Sequence, residues 1–352
     1  PEDPVMQVVA ESKALQDVNY LVVGLGLTGY SAARYLLAGG YRCRVQDTRD
    51  LPPYLGKLKQ QFDALEFHGG ELVRELIDWA DVLVVSPGIS LRQPAFEQAR
   101  AAGKTLLGDV ELFAQLAHKP VVAITGSNGK STVTSLVGEI IDTAGVAVGV
   151  GGNLGTPALD LLTREVDYYV LELSSYQLET VESLQPRVAV LLNLCEDHLD
   201  RYDSYQDYIE AKRRIFHNAG VCVSNADDEA TARDADDIRF SLATDTDAAF
   251  HLIEDDGYWL AHRSDPWLRV DALKISGRHN WANCLAAMAI THSLGIPRDA
   301  IVRAMRQFGG IPHRSQWVDE IDGVEWINDS KATNVGAAQA SIDGRDRPVI
   351  LI

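Results

Sequence analysis

The sequence lacks a long apolar run, which argues against a protein that spans the membrane. No apolar stretch approaches the roughly 20 residues that a membrane-spanning helix needs. The longest stretches, such as Val188–Leu192 and Val349–Ile352, have the length of buried strands. The acidic start, Pro1-Glu2-Asp3, has no secretory or transit pattern. We therefore expect a protein without a membrane partner.

Cysteine is also scarce, and its spacing excludes a disulfide framework and a CxxC metal or redox motif. The chain has 4 cysteines in 352 residues, and they stand far apart at positions 43, 195, 222 and 284. Isolated cysteines of this kind are typical of ordinary thiols in a reducing compartment. The sequence therefore predicts a cytoplasmic protein.

Basic residues are few relative to acidic ones. The 32 Lys and Arg against 50 Asp and Glu give a formal net charge of −18. Nucleic acids would repel such a chain, so we expect no nucleic-acid partner. A small anionic substrate is still compatible, because a few local cations can override the global sign. The 46% hydrophobic and 23% charged residues are typical of a folded protein, and the length predicts two to three domains at about 150 residues each.

The first α/β unit contains a glycine-rich turn. A strand over Asn19–Val23 precedes Gly24-Leu-Gly-Leu-Thr-Gly29, a helix over Tyr30–Leu37 and a strand over Arg42–Gln46 that ends in Asp47. This pattern fits the dinucleotide fingerprint, although close packing of helix on strand explains the glycines too. Which nucleotide would bind is open. The strand over Asp81–Val85 leads to Gly88, which we expect at the same edge of the sheet.

The strongest motif is Thr125-Gly-Ser-Asn-Gly-Lys-Ser-Thr132, which lies between an apolar strand and a helix. Glycines there let backbone N–H groups surround a phosphate, and the helix N-terminus adds a favourable dipole. Lys130 would bridge the β- and γ-phosphates, and the Ser131 hydroxyl would bind Mg²⁺. The common form needs Gly where Ile124 stands, so this loop is a shortened variant; the alternative is a chance glycine-rich turn.

Acidic residues follow two further apolar strands. Glu172 comes at the end of the strand over Tyr168–Leu173, and Glu196, Asp197 and His198 follow the strand over Arg187–Asn193. Because the carboxyl end of a strand beside a phosphate-binding loop is where a metal-binding acid belongs, we interpret both as candidate metal sites. The alternative is a solvated strand end.

Other polar residues are ambiguous by themselves. Lys212 lies on a charged helix, where a solvated face is the simpler interpretation, and Asn280 could be a helix N-cap. The loops Pro312–Arg314 and Asn328–Asn334 carry many donors and acceptors, which suits ligand contacts, although turns explain them nearly as well.

The C-terminal part has a different pattern. Residues 238–270 consist of short alternating pieces with Asp and Gly turns, which favours a small antiparallel insert. Asp322-Gly323 predicts a hairpin. The chain begins without Met and ends on Arg347-Pro-Val-Ile-Leu-Ile352, which is typical of the start of a buried strand, so we expect an incomplete third domain.

Together these segments resemble the Mur ligase family of peptidoglycan synthesis. The motifs follow the family's order over nearly all of the chain, and they are Thr125–Thr132, Gly151–Pro157, Leu171–Leu178, Asn193–Tyr202, Ala211-Lys212, Gly277–Asn280, Pro312–Arg314 and Asn328–Asn334. The forms of Leu171–Leu178 and Asn328–Asn334, with Asp47-Thr48-Arg49 in the first unit, are most similar to the members that add D-glutamate to a UDP-linked muramoyl-L-alanine.

The resemblance implies an α/β fold with three domains. Residues 1–108 would form a Rossmann-like domain that binds the UDP-sugar, 109–310 a central P-loop ATPase-type domain with a parallel sheet, and 311–352 the beginning of a C-terminal, Rossmann-like, amino-acid-binding domain. It also implies ATP as substrate, two Mg²⁺ ions, an acyl-phosphate intermediate and a carbamylated Lys212. We expect a monomer.

The resemblance also assigns candidate site residues. ATP would contact Gly126, Ser127, Asn128, Gly129, Lys130, Ser131, Thr132, Asn153, Asn283, Arg314 and Asp329. The UDP-sugar would contact Thr28, Asp47, Thr48, Arg49, Gly88, Asn153 and Ser174. D-glutamate would contact Lys331 and Thr333. Metals would be held by Ser131, Glu172, His198 and Lys212, of which the last three act in catalysis with Lys130.

Three alternatives stay open. Another Mur or folylpolyglutamate-type amide ligase would share the central domain. An NAD-binding oxidoreductase would use the first glycine turn and Asp47 but leaves the loop over Thr125–Thr132 unexplained. A nucleotide-binding scaffold without activity would not need Glu172, His198 and Lys212 together.

Overall fold

In the computed structural model, residues 17–234, 236–314, 316–332, 335–343 and 348–352 are described, and Thr333 lies outside these ranges. The chain divides into two compact units. The first comprises residues up to His118 with Gly151–Glu165 and Ser174–Leu184, and the second comprises the remaining segments. The domain boundaries expected at residues 108 and 310 stay predictions.

The first unit contains a five-stranded parallel sheet flanked by helices. Its strands are β1 (Asn19–Val23), β2 (Arg42–Asp47), β3 (Glu66–Gly69), β4 (Val82–Val85) and β5 (Thr105–Leu107), in the order β3-β2-β1-β4-β5. Its helices are α1 (Leu27–Ala38), α2 (Leu55–Gln61), α3 (Arg74–Trp79), α4 (Pro94–Ala101), α5 (Asp109–Leu116), α7 (Ala158–Leu161) and α8 (Ser175–Leu178). The order places the loops after β1 and β4 side by side at one sheet edge, as predicted from the strand-turn-helix pattern.

The second unit contains the larger sheet. Its strands are β6 (Val121–Thr125), β7 (Val148–Gly152), β8 (Tyr168–Glu172), β9 (Pro186–Leu191), β10 (Val221–Asn225), β11 (Ile238–Phe240), β12 (Phe250–Glu254), β13 (Tyr258–His262) and β14 (Asp265–Arg269). Its helices are α6 (Lys130–Thr143), α9 (Tyr205–Arg213), α10 (Arg278–Ser293), α11 (Arg298–Gln307) and α12 (Val335–Asp343), with 3₁₀ turns at Arg214–Phe216, Glu229–Thr231 and Val270–Ala272.

The strand order places three predicted motifs together. The order is β14-β13-β12-β11-β10-β9-β6-β8-β7, and β6 pairs in parallel with both β8 and β9. The carboxyl ends of these three neighbouring strands carry the glycine-rich loop, Glu172 and the loop that begins at Leu192. The expectation for residues 238–270 is wrong in part, because β11 and β12 extend the sheet in parallel and only β12–β14 are antiparallel.

Helix α6 packs on this sheet against β6 and β8. Its apolar residues recur at helical spacing, and Val133, Leu136, Val137, Ile140 and Ile141 are all fully buried. The helix packs against α10 and α11 on the same face. This packing fixes the start of α6, and therefore the glycine-rich loop, against the sheet.

The predicted hairpin is present as β15 (Gln316–Ile321) and β16 (Val324–Asn328). Asp322 and Gly323 both have positive φ, of 52° and 77°, as a type I′ turn requires. The terminal strand is not observed: residues 348–352 are exposed and lie in no strand. An apolar segment becomes a strand only where a neighbour satisfies its backbone groups. Among the described residues, no helix is both long and apolar enough to cross a membrane.

Candidate active site

The glycine-rich loop joins β6 to α6 in the geometry of a phosphate-binding loop. Gly129 is the N-cap of α6 and has a left-handed backbone, with φ of +80°. A Cβ atom at Gly129 would lie 2.4 Å from Oδ1 of Asn283, so neither the conformation nor the space suits a side chain. Gly126, Ser127 and Asn128 complete the loop before the helix begins at Lys130. The N–H groups of Ser127 and Asn128 donate to Asn193, at 2.9 and 2.8 Å. The N–H groups of the first turn of α6 have no partner within the helix and are the ones suited to a phosphate.

Lys130 folds back over this loop. Its Nζ donates hydrogen bonds to the carbonyl oxygens of Gly126 at 2.9 Å and of Ser127 at 2.8 Å. Burial lowers the pKa of the Lys130 ammonium, and the Glu172 carboxylate opposes that shift. Ser131 and Thr132 follow on the first turn and are buried. The Ser131 hydroxyl accepts a hydrogen bond from Nη2 of Arg314 at 3.0 Å.

Lys212 is not on a solvated face, so the interpretation that its local sequence favoured is wrong. Its side chain on α9 is only 2% exposed. Its Nζ donates to the same Gly126 carbonyl oxygen at 2.9 Å and lies 3.5 Å from the Thr125 hydroxyl. Burial, and then the nearby charge of Lys130, lower the pKa of the Lys212 amine well below its ordinary value. Both effects disfavour the charged form of this lysine.

Tyr208 is a site residue that sequence reasoning missed. It is fully buried one helical turn before Lys212, and the Lys212 Nζ lies 4.9 Å from the centre of its ring. The ring is 6.3 Å from that of His198, and its hydroxyl is 2.8 Å from Oγ of Ser127. The four-residue spacing between Tyr208 and Lys212 was the available signal, because such residues share one helix face.

Acidic groups act on both lysines. Glu172, the last residue of β8, is buried beside Ile124 of β6 in the sheet register. The carboxylates of Glu172 and Asp197 each raise the pKa of Lys130 and Lys212, against the larger effect of burial. The structure therefore brings Lys130, Glu172 and Lys212 into one electrostatic cluster.

His198 lies at the rim of this cluster. It has a positive φ of 55°, and its backbone N–H donates to Oδ1 of Asp197 at 2.9 Å. Its side chain is 44% exposed. Within the described residues, no three His, Cys, Asp or Glu side chains converge as a metal site would require. A cation here would therefore use the Ser131 hydroxyl, one or two carboxylates and oxygen atoms of the ligand.

A cavity of about 290 Å³ opens beside the glycine-rich loop. Its lining includes Asn128, Gly129, Thr132, Asn283, Arg314 and Asp329, all of them predicted contacts of ATP. The Asn283 amide donates to Oδ1 of Asn280, whose own amide donates to the Ser276 carbonyl oxygen. Asn280 is not the N-cap of α10, because Gly277 occupies that position. Lys331 is exposed, with its backbone N–H bonded to the His313 carbonyl oxygen.

The glycine turn of the first unit is closely packed. A Cβ atom at Gly29 would lie 1.8 Å from the Gly24 carbonyl oxygen, which also accepts a hydrogen bond from the Ser86 hydroxyl at 2.9 Å. Thr28 is half-buried at the start of α1, and Gly88 is exposed in the loop after β4. The two loops therefore meet at the carboxyl edge of the sheet.

The carboxylate of Asp47, at the end of β2, accepts hydrogen bonds from other groups of the protein. Its Oδ2 accepts from the Leu25 N–H and from Nη2 of Arg49, each at 2.7 Å, and its Oδ1 accepts from Nε and the backbone N–H of Arg49. Burial alone would raise the pKa of this carboxyl, but the hydrogen bonds lower it to about 2. The Asp47 carboxylate therefore joins the glycine turn to Arg49, and its predicted contact with the UDP-sugar stays a prediction.

The remaining predicted contacts of the UDP-sugar also lie in the first unit. Ser174 is the N-cap of α8, where its hydroxyl accepts from the Gln177 N–H at 3.2 Å in a capping box. Thr48 and Arg49 are exposed after β2, and Asn153 is exposed after β7. These positions leave their side chains accessible, and their ligand contacts stay predictions.

Two family models match the chain. Residues 124–291 match the Mur ligase middle domain, and residues 18–108 match the Mur ligase MurD-like N-terminal domain. Among similar proteins, the UDP-N-acetylmuramoylalanine--D-glutamate ligase of Pseudomonas aeruginosa is 52% identical over 92% of this chain and 73% of its own length. The enzyme of the same name from Escherichia coli K12 is 50% identical over 94% of this chain and 75% of its own.

Solved structures share the fold at lower identity. A pseudomurein peptide ligase type C from Methanothermus fervidus has a TM-score of 0.60 at 21% identity, covering 94% of this chain and 78% of its own. UDP-N-acetylmuramate-alanine ligase MurC from Thermotoga maritima has a TM-score of 0.58 at 19% identity, covering 93% and 78%. On the family models and the sequence identities, this chain belongs to the Mur ligase family, with a MurD-like N-terminal domain.

Proposed function

We propose that this chain joins D-glutamate to UDP-N-acetylmuramoyl-L-alanine at the expense of ATP, in the synthesis of peptidoglycan precursors. The names of its relatives at 50% and 52% identity support this assignment. One structural observation carries it: Lys130 and Lys212 both donate to the Gly126 carbonyl oxygen at 2.9 Å. Both lysine nitrogens therefore meet at the backbone of the glycine-rich loop, beside the position that the phosphates of a bound nucleotide would take.

The bound nucleotide would lie along the cavity beside the glycine-rich loop. The N–H groups of the first turn of α6 and the Lys130 side chain would hold the β- and γ-phosphates, and Arg314 and Asp329 would contact the nucleotide from the C-terminal part. Asn283 supports this placement because its amide nitrogen is already bonded, which orients its Oδ1 toward the loop.

The donor set near the phosphates fits Mg²⁺. A hydroxyl at Ser131 and a carboxylate at Glu172, together with phosphate oxygens and water, are the ligands that Mg²⁺ takes in phosphoryl-transfer sites. Magnesium would neutralise the γ-phosphate and the charge that develops during transfer. A second ion would use His198 and Lys212, the latter as its carbamate.

Carbamylation of Lys212 is supported by the chemistry of its environment. Only an unprotonated amine attacks carbon dioxide, and burial favours that form here. The amine nitrogen would form a bond to the carbon of CO₂ and release one proton. The product is an anion, which would replace the repulsion between Lys212 and Lys130 by attraction.

The reaction then needs two displacements. The L-alanine carboxylate oxygen attacks the γ-phosphorus, and ADP leaves while Lys130 balances the charge on the transferring group. The D-glutamate amine attacks the resulting acyl phosphate carbon, loses a proton, and phosphate leaves as the amide forms. Lys331 and Thr333 would hold the D-glutamate, and residues of the first unit would hold the UDP. We further propose a monomer in the cytoplasm.

Calorimetric titration with UDP-N-acetylmuramoyl-L-alanine, with NADH as comparison, tests the substrate class. We expect saturable binding of the UDP-sugar and none of NADH. A coupled assay of phosphate release would then require ATP, the UDP-sugar and D-glutamate together, with L-glutamate as the stereochemical control. Binding of NADH alone, or equal turnover with L-glutamate, would contradict the assignment.

A further inference from the structure

Asp228 makes a contact that the reaction chemistry does not explain. It follows β10, and its Oδ2 accepts a hydrogen bond at 2.7 Å from the backbone N–H of Leu194, 34 residues away in the chain. Asp228 is half-buried. Leu194 and Cys195 line the cavity beside the glycine-rich loop. The bond therefore fixes the backbone of a loop that forms one wall of the proposed nucleotide site.

The same loop is joined to the glycine-rich loop on its other side. The Cys195 N–H donates to the Ser127 hydroxyl at 3.0 Å, and that hydroxyl lies 3.2 Å from the Cys195 carbonyl oxygen. The Asn193 side chain exchanges two hydrogen bonds with the backbone of Asn128, at 2.8 and 3.0 Å. The segment 193–195 is therefore held between the phosphate-binding loop and Asp228.

The residues from Asn225, at the end of β10, to Asp228 support the hydrogen bond between Asp228 and Leu194. The amide of Asn225 donates to the Leu192 carbonyl oxygen at 3.1 Å, and the N–H of Asp228 donates to the Asn225 carbonyl oxygen at 3.1 Å. The next residue back, Asp227, bonds instead to Ser241 and Leu242, beyond β11. Of the two carboxylates, that of Asp228 therefore bonds to the Leu194–Cys195 segment of the cavity wall.

We propose that Asp228 is a positioning residue for nucleotide binding and turnover, because it holds the Leu194–Cys195 wall in register with the glycine-rich loop. The assignment of ATP as the nucleotide rests on the proposed function. The loop continues to Asp197 and His198, so loss of the anchor would disturb the electrostatic cluster as well as the cavity. In this proposal Asp228 acts through the Leu194 backbone.

Asp228→Ala removes the acceptor, whereas Asp228→Asn keeps an oxygen that the Leu194 N–H can reach. We expect Asp228→Ala to weaken binding of a non-hydrolysable ATP analogue at least about tenfold, since a hydrogen bond to a charged group is lost. Asp228→Asn should recover most of that affinity. The KM for ATP in the coupled assay should change in the same order.

Asp167→Ala is the matched control. Its Oδ2 also accepts a backbone N–H, from Ala147 at 3.2 Å, but just before β8 begins, at the opposite end of the sheet. We expect this variant to lose thermal stability without a change in nucleotide affinity. Thermal unfolding of all variants separates misfolding from a local effect.

Equal nucleotide affinity of Asp228→Ala and the unmodified chain, with only a lower melting temperature, would overturn the proposal. So would equal losses in the Asp228→Ala and Asp167→Ala variants. Because calorimetry of the nucleotide alone needs no amino-acid or sugar substrate, its outcome is independent of whether the proposed ligase reaction occurs.

Discussion

Gly129→Ala tests whether the start of α6 is built for close contact with a ligand. The residue has φ of +80°, where an alanine costs about 1–2 kcal/mol. Its Cβ would also meet Oδ1 of Asn283 at 2.4 Å and Cγ at 3.3 Å. This clash is removed only if the Asn283 amide moves and loses its 3.2 Å hydrogen bond to Asn280. The loss of that bond costs about 0.5–1.5 kcal/mol of stability.

Gly145→Ala supplies a control at the other end of the same helix. Gly145 has φ of +79°, and a Cβ there meets nothing within 4 Å. Gly145→Ala therefore has the free-energy cost of a left-handed alanine without a steric clash. Both substitutions reduce the entropy of the unfolded chain equally, so this effect cancels in their comparison.

Chemical denaturation and calorimetry with an ATP analogue would measure the difference. We expect Gly129→Ala to lower the free energy of unfolding by about 1 kcal/mol more than Gly145→Ala, from the lost Asn283 bond. Nucleotide affinity should fall in Gly129→Ala alone, because Gly129 and Asn283 both line the cavity. The reasoning is refuted if the two variants have the same stability and the same affinity for the nucleotide.

Three further predictions concern other groups. Lys130→Ala and Glu172→Ala should each reduce phosphate release by about 10²–10³ or more, because each removes an electrostatic stabiliser of the transferring group; near-normal turnover in either would contradict the assignment. Tyr208→Phe should keep the ring beside Lys212 and lower the free energy of unfolding by about 1 kcal/mol, through loss of the 2.8 Å contact with Ser127; an unchanged denaturation midpoint would show that this contact contributes nothing. Burial raises the pKa of the Asp109 carboxyl to about 6. The contribution of this carboxyl to the free energy of unfolding is therefore complete below the unfolded pKa of about 3.9, where it is protonated, and is lost as the pH rises through about 6. Asp109→Asn should therefore flatten the fall in unfolding free energy between these pH values, and an identical slope in both proteins would argue against a buried, titrating Asp109.

The sequence by itself determined the local elements of this protein. The bounds of β1, Asn19–Val23, are as predicted, and the existence of β6 and α6 follows from apolar runs and helical spacing, although α6 begins two residues earlier than that spacing indicates. The turn at Asp322-Gly323 follows from the backbone preferences of those residues. The phosphate-binding loop was predictable for the same reason, since its glycines, Lys130 and Ser131 stand in one short motif between a strand and a helix. Such features depend on residues within a few positions of one another.

The pairing direction of β11 and β12 could not be predicted in this way. Residues 238–254 are alternating pieces that suit either direction of pairing, and their addition in parallel to β10 depends on how the chain returns to the sheet. Asp47 is similar, because its hydrogen bonds to Leu25 and Arg49 depend on the folded arrangement of the loops around it. The sequence pattern identifies a strand or an acidic residue, but it does not identify the strand that pairs with it or the groups that bond to it.

Only the tertiary structure decided the character of the two lysines. The local sequence of Lys212 indicates a solvated helix face, yet the fold brings it to the Gly126 carbonyl oxygen across 86 residues. The Arg314 contact with Ser131 spans 183 residues. Burial and the charge of Lys130 change the chemistry of Lys212 because the parallel sheet brings the carboxyl ends of β6, β8 and β9 to one edge, and no local pattern encodes that proximity.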